Sequence, residues 1–241
     1  MRTLTIFTAF VLFGIQIQSA SGKPKTNFPN VQQTETRAVS NFTGISSGGH
    51  FNVFVKLGST ESLEIEAEAE TLKYIETVVE NSVLKIRVKN RLNRPMADLG
   101  KVTITITAKS LNALSLSGSG SMSVDGIIKS KNLNTSVSGS GSLDFDADVS
   151  DLKAIISGSG SMSAGGKGTH AVVTVSGSGS FNSPDLKVNT AEIRVSGSGG
   201  ATIHAQDHLS AILIGAGNIR YKGDPHVDII TKTGSGTISK I

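Results

Sequence analysis

The sequence predicts an all-β chain wound into a parallel β-helix, a solenoid with coils of about 19–20 residues. Three observations carry that prediction. A Gly-Ser-Gly motif recurs from about residue 110 onward, its copies are almost evenly spaced, and apolar residues alternate with polar ones on both sides of each copy.

The motif reads LSLSGSGSMS at Leu114, SVSGSGSLD at Ser136, IISGSGSMS at Ile155, TVSGSGSFN at Thr174, RVSGSGGAT at Arg194, LIGAGNIR at Leu213 and KTGSGTIS at Lys232. Its first glycines are Gly118, Gly139, Gly158, Gly177, Gly197, Gly215 and Gly234, giving steps of 21, 19, 19, 20, 18 and 19 residues. Leucine-rich repeats share this period, but their Leu-x-x-Leu-x-Leu signature is missing and no helical segment separates the copies.

Parity assigns the faces, because successive strand side chains point to opposite sides. Leu152, Ala154, Ile156, Gly158, Gly160, Met162 and Ala164 share one parity, while Lys153, Ile155, Ser157, Ser159, Ser161 and Ser163 fall on the other. A flexible Gly-Ser linker has no reason to hold aliphatic residues at fixed offsets around every motif. Each coil should therefore pair with the coils above and below it, with Gly158 and Gly160 facing inward at a corner or narrow waist. The intervening Ser119, Ser140, Ser159, Ser178 and Ser198 should stack outside as a ladder, which is the candidate binding surface.

The N-terminal part keeps the alternation without the motif. His50–Leu57, Ser62–Ala69, Val83–Lys89 and Val102–Thr107 read as strands. Leu72 to Glu80 allows a short helix, although Thr77-Val78-Val79-Glu80 favours a strand, and Asn90 to Gly100 reads as a loop. The expected organisation is a signal peptide over 1–22, a flexible leader over 23–37, an irregular β part over 38–109 and the repeat solenoid over 110–241, with the two β parts stacked as one body.

The signal-peptide assignment rests on Arg2, the mostly apolar stretch Leu4 to Ile17, and the small residues Ser19-Ala20-Ser21-Gly22. That stretch falls short of the roughly 20 residues needed to span a bilayer. The chain is expected to be exported, to the periplasm, the outer membrane or the exterior, with no transmembrane segment in its mature form.

Composition excludes several functions. With Cys 0 there is no disulfide, thiolate metal site or cysteine nucleophile. The net charge of +4 is dispersed and aromatic residues make up only 5%, so a nucleic-acid partner is not expected. Nothing in the pattern specifies an oligomer.

The chain resembles the bacterial head GIN domain family of auto-transporter adhesins. The residues that carry the resemblance are Phe42-Thr43-Gly44-Ile45, Phe51 to Gly58, the serial Ser-Gly-Ser-Gly-Ser motifs, and the ending Gly215-Ala216-Gly217-Asn218-Ile219-Arg220-Tyr221-Lys222-Gly223-Asp224-Pro225. It covers about residues 38 to 241. It implies a right-handed single-stranded β-helix and an exported envelope protein, and it implies no catalytic residues.

Catalytic patterns are weak. Gly44-Ile45-Ser46-Ser47-Gly48 spells Gly-x-Ser-x-Gly, but a nucleophile elbow needs a helix after its turn. A phosphate loop at Gly160 to Gly165 fails because Gly166 stands where Lys is required. His204 and His208 share a strand face about 13 Å apart, too far for one ion unless a turn intervenes. The Glu64, Glu66, Glu68 and Glu70 row reads as a solvated face, as does the row of Asp144, Asp146 and Asp148 with Asp151 following. The expectation is a non-catalytic protein with no cofactor and no metal, presenting a polar surface to an envelope protein or a surface glycan. An envelope scaffold is the alternative, and a polysaccharide-active enzyme comes last.

Overall fold

A computed structural model describes residues 32–89 and 99–241. The expected signal peptide, most of the leader and most of the Asn90–Gly100 loop lie outside the described residues. The rest is nearly all β, arranged as a solenoid of about seven turns.

The N-terminal part begins with β1 (Gln32–Arg37), β2 (Gly44–Gly49), β3 (Asn52–Leu57) and β4 (Ser62–Glu68). A single-turn helix α1 (Ala69–Leu72) follows, then β5 (Ile75–Glu80), β6 (Val83–Val88), β7 (Thr103–Ala108) and β8 (Ala113–Gly118). The four predicted strands are present. The helix allowed at Leu72 to Glu80 ends at Leu72, and the β-branched run after it is strand β5, as its branched side chains favour.

The repeats form long bent strands: β9 (Ser121–Gly139), β10 (Ser142–Gly158), β11 (Ser161–Gly177), β12 (Ser180–Gly197) and β13 (Gly200–Gly215). Shorter strands β14 (Asn218–Lys222), β15 (His226–Thr233) and β16 (Thr237–Lys240) complete the stack. All sixteen belong to one sheet, so the two β parts form a single body.

From β9 onward every pairing is parallel and advances by one coil, as in Ser142↔Ser161 and Gly158↔Gly177. The core is built from stacked inward side chains. Leu116, Val137, Ile156, Val175, Val195 and Leu213 lie one above another, all at most 1% exposed. Each such aliphatic side chain contributes roughly 1.5–3 kcal/mol when removed from water.

The N-terminal end is closed differently. β2 and β3 form the first coil, pairing in parallel with β8 and β9 above and with β6 and β7 below. Beneath them the sheet turns antiparallel, with β4 on β7, β1 on β4 and β5 on β6. The last six residues of the expected leader are thus strand β1, held by the register Gln32↔Glu68 to Arg37↔Leu63. Arg37 reinforces it: its guanidinium donates to the carbonyls of Ile75 at 2.7 Å and Leu72 at 3.0 Å.

The corner glycines need one correction. Gly160 is buried as predicted, but Gly158 is exposed. Gly158 has φ of 109°, and a Cβ there would stand 2.7 Å from the carbonyl oxygen of Gly139 in the coil below. The steric limit at Gly158 therefore acts along the solenoid axis and not across its interior. At Gly160 both directions are closed, with Val137 Cγ1 at 2.5 Å and the Gly141 oxygen at 2.7 Å from the added carbon.

Candidate functional site

The corner is a column of backbone hydrogen bonds that puts a serine on its outer edge in coil after coil from Ser119 to Ser198. Ser140 N–H donates to Gly118 O at 2.9 Å, Ser159 to Gly139 at 2.9 Å, Ser178 to Gly158 at 2.9 Å and Ser198 to Gly177 at 3.0 Å. Some of these carbonyls accept a second donor, as when Gly179 N–H reaches Gly158 O at 2.8 Å. Ser119, Ser140, Ser159, Ser178 and Ser198 are all exposed. Among the described residues none of their hydroxyls has a hydrogen-bond partner in the protein. In the next coil Ala216 takes the same place, with its N–H on Gly197 O at 3.0 Å, so the run of hydroxyls is interrupted there before the exposed Ser235 of the following coil.

Two further outward columns flank this edge. One runs Ser121, Ser142, Ser161, Ser180, Gly200, Asn218, Thr237; beside it, in the upper coils, stand Asn182, Thr202 and Arg220. Where the ladder meets these columns the surface sinks into a groove of about 440 Å³, lined by Ser178, Ser180, Asn182, Ser198, Thr202, Asn218 and Arg220 among others. Sequence reasoning found the serines and missed the groove. The signal was available: the one-coil spacing that stacks the serines also stacks Asn182, Thr202 and Arg220.

The histidines lie elsewhere. His204 and His208 share no ligand; instead His208 Nε2 lies 3.2 Å from Asp228 Oδ2 and His226 Nε2 lies 3.2 Å from Asp228 Oδ1. The His208 and His226 rings stack at 5.8 Å between centroids, because β15 sits in register on β13. His170 stands between Asp151 at 3.7 Å and Glu192 at 3.4 Å in the same way. No group of three or more candidate ligands is arranged to hold a metal ion among the described residues.

Glu64, Glu66 and Glu68 lie on strand β4, but Glu70 falls in helix α1 and so leaves the expected row; the row of Asp144, Asp146 and Asp148 is a strand face, with Asp148 paired to Lys167 at 3.4 Å. Gly44 to Gly48 lies within strand β2 and runs on to β3 without a helix, so Ser46 is not on a nucleophile elbow. Glu61 is held below its usual value chiefly by the Asn41 backbone N–H; the other displaced groups are surface ion-pair partners, as where the Lys85 ammonium holds Glu80 below its usual value and Lys240 does the same to Asp224. None of these carboxyls lines the groove. No helix among the described residues is long and apolar enough to cross a membrane.

A parallel solenoid with a packed interior and a polar, regularly spaced outer corner defines the class of molecule. Residues 41–225 match the family model described as "Putative auto-transporter adhesin, head GIN domain", and the chain belongs to that family. Its fold is shared with solved structures. One is described as a putative adhesin from Bacteroides fragilis NCTC 9343, with 24% identity, 88% of this chain and 97% of that one covered, and a TM-score of 0.80. Another is described as a putative lipid binding protein from Parabacteroides distasonis ATCC 8503, with 23% identity, coverage of 87% and 96%, and a TM-score of 0.70. A third, described as a putative adhesin from Parabacteroides merdae ATCC 43184, has 22% identity, coverage of 87% and 96%, and a TM-score of 0.65. No curated protein matches the chain at a significant level.

Proposed function

We propose that this chain is an exported, non-catalytic binding module of the cell envelope that attaches through its polar corner. The observation that supports this most is the column of five exposed serine hydroxyls without protein partners among the described residues, held at about 4.8 Å per coil by backbone hydrogen bonds between successive corners. A rigid row of this kind forms many weak hydrogen bonds at little ordering cost, so attachment grows with repetition along the row. The family description points the same way. The description of one structural relative as lipid binding fits this chain less well, since the inward side chains, from Leu116 to Leu213, fill the coils and leave an acyl chain nowhere to enter. Acid–base catalysis is disfavoured because no carboxyl or histidine lines the groove, and the displaced pKa values belong to surface ion pairs and to Glu61 of the β3–β4 connection.

The test uses protein recovered from the envelope, where the mature N-terminus is expected between Ser21 and Lys25. Replacing Ser140, Ser159 and Ser178 together with Lys should abolish attachment to cell surfaces or glycans while the circular-dichroism melt stays unchanged. Undiminished attachment would place binding on another face. Turnover of a polysaccharide by the purified protein would overturn the non-catalytic reading.

A further inference from the structure

We propose that the groove at the upper end of the ladder is a carboxylate-binding subsite for an acidic sugar, a uronic or sialic acid residue of a surface glycan; this rests on the binding-module reading above and names its ligand class. The groove exists because one column lacks a side chain. Ser121, Ser142, Ser161 and Ser180 precede Gly200 in that column, and Asn218 follows it. Unlike Gly158, Gly200 has no positive φ. A Cβ there would approach a single atom, the Asn218 carbonyl oxygen at 3.3 Å. Backbone geometry therefore asks far less for glycine here than at the corner, and its effect is to leave a notch between Ser180 and Asn218.

The groups around the notch are donors. Asn218 Oδ1 accepts from Thr237 Oγ1 at 2.6 Å, which orients the amide and leaves Nδ2 without a protein partner among the described residues. Arg220 is exposed and makes no ion pair among the described residues, in contrast with Arg87, which pairs with Glu76 at 2.6 Å. Ser178, Ser180, Ser198 and Thr202 add hydroxyls, and no carboxylate lines the groove. An ionised carboxylate only accepts hydrogen bonds, and a guanidinium fork engages it with two parallel donors. The columns stand about 7 Å apart along the strand and the coils about 4.8 Å apart, so the guanidinium, the amide and the serines can reach different edges of one sugar ring. A peptide is the poorer fit: strands β12, β13 and β14 are already paired here, so no free strand edge remains for main-chain addition.

Binding of oligogalacturonate and sialyllactose is measured beside methyl-esterified oligogalacturonate and lactose, with the folded wild type and three variants. The acidic sugars should bind at least ten times more tightly than their neutral counterparts, and less tightly at higher salt. Arg220→Gln should erase that preference, weakening acidic-sugar binding by about ten- to a hundredfold. Arg220→Lys should restore part of it, with the melts of both Arg220 variants unchanged, and Gly200→Ser should weaken it by filling the notch. Equal binding of acidic and neutral sugars, a preference that survives Arg220→Gln, or equal competition by an acidic peptide would overturn the proposal. Cell-surface attachment that persists with no acidic-sugar binding would overturn it while leaving the binding-module reading intact. Loss of both in the wild type would remove the two together.

Discussion

Gly158 and Ser159 are neighbours with opposite tolerances. Gly158 occupies a left-handed φ of 109° and would drive any Cβ onto the Gly139 carbonyl, whereas the Ser159 side chain points into water. Gly158→Val should cost about 3 kcal/mol or more, combining backbone strain with overpacking. Ser159→Val should stay within about 0.5 kcal/mol, as exposed substitutions do. Chemical denaturation of the two variants checks this, and equal losses would contradict the corner geometry. The same local rule explains why the hydroxyls of the ladder are free: the backbone N–H groups of these serines, and not their side chains, complete the column.

At the scale of elements, the start of β2 depends on a residue of the β3–β4 connection. Asn41, at φ of 61°, donates its N–H to Glu61 Oε2 at 3.0 Å, and Lys109 lies 3.6 Å from the same oxygen. The Asn41 N–H, with help from Phe42 and Lys109, holds the Glu61 carboxyl below its usual value. A carboxyl depressed in the folded state contributes stability that is present above the unfolded value, near 4.3, and is lost as pH falls through the folded one. Glu61→Gln should thus lower the melting temperature at neutral pH, and its melt should converge on that of the wild type as pH drops below about 4. Parallel curves at all pH values would show that the charge is not what matters. The antiparallel cap formed by β1, β4 and β5 plays the part that atypical terminal units play in solenoids, covering a coil face that no further repeat covers.

For the whole molecule, stability is close to a sum over coils and their interfaces. Gly158 and Gly177 stand in register, so deleting Ser159 to Gly177 removes one coil and joins Gly158 to Ser178 without changing the corner. The shortened protein should fold, keep its β circular-dichroism signature, and show a smaller denaturant slope in proportion to the surface lost. Failure of that deletion to fold, alongside tolerance of ladder substitutions, would mean that the coils are not interchangeable. The proposed attachment should weaken with the deletion as well, because a coil of the ladder is lost.

Much of this protein is written along the chain. The period from Gly118 to Gly234 and the parity around Leu152, Ala154 and Ile156 specify the solenoid and its inside, because strand alternation is local and each coil repeats the same burial problem. The outward serines follow from the same parity. Tertiary structure decided the rest. The φ reversal at Gly158 turns that residue out of the inward set, which no alternation rule foresees. Strand β1 finds β4 through antiparallel pairing that a polar, proline-flanked segment does not announce. His208 meets His226 and Asp228, and Arg220 comes to line the same groove as Ser178, only once the coils stack. Register shifts, as between Met162 and Gly166 or Ser183 and Lys187, set which outward residues align from coil to coil. Spacing in the chain measures coil length, but where a bulge takes up the extra residue is settled by packing.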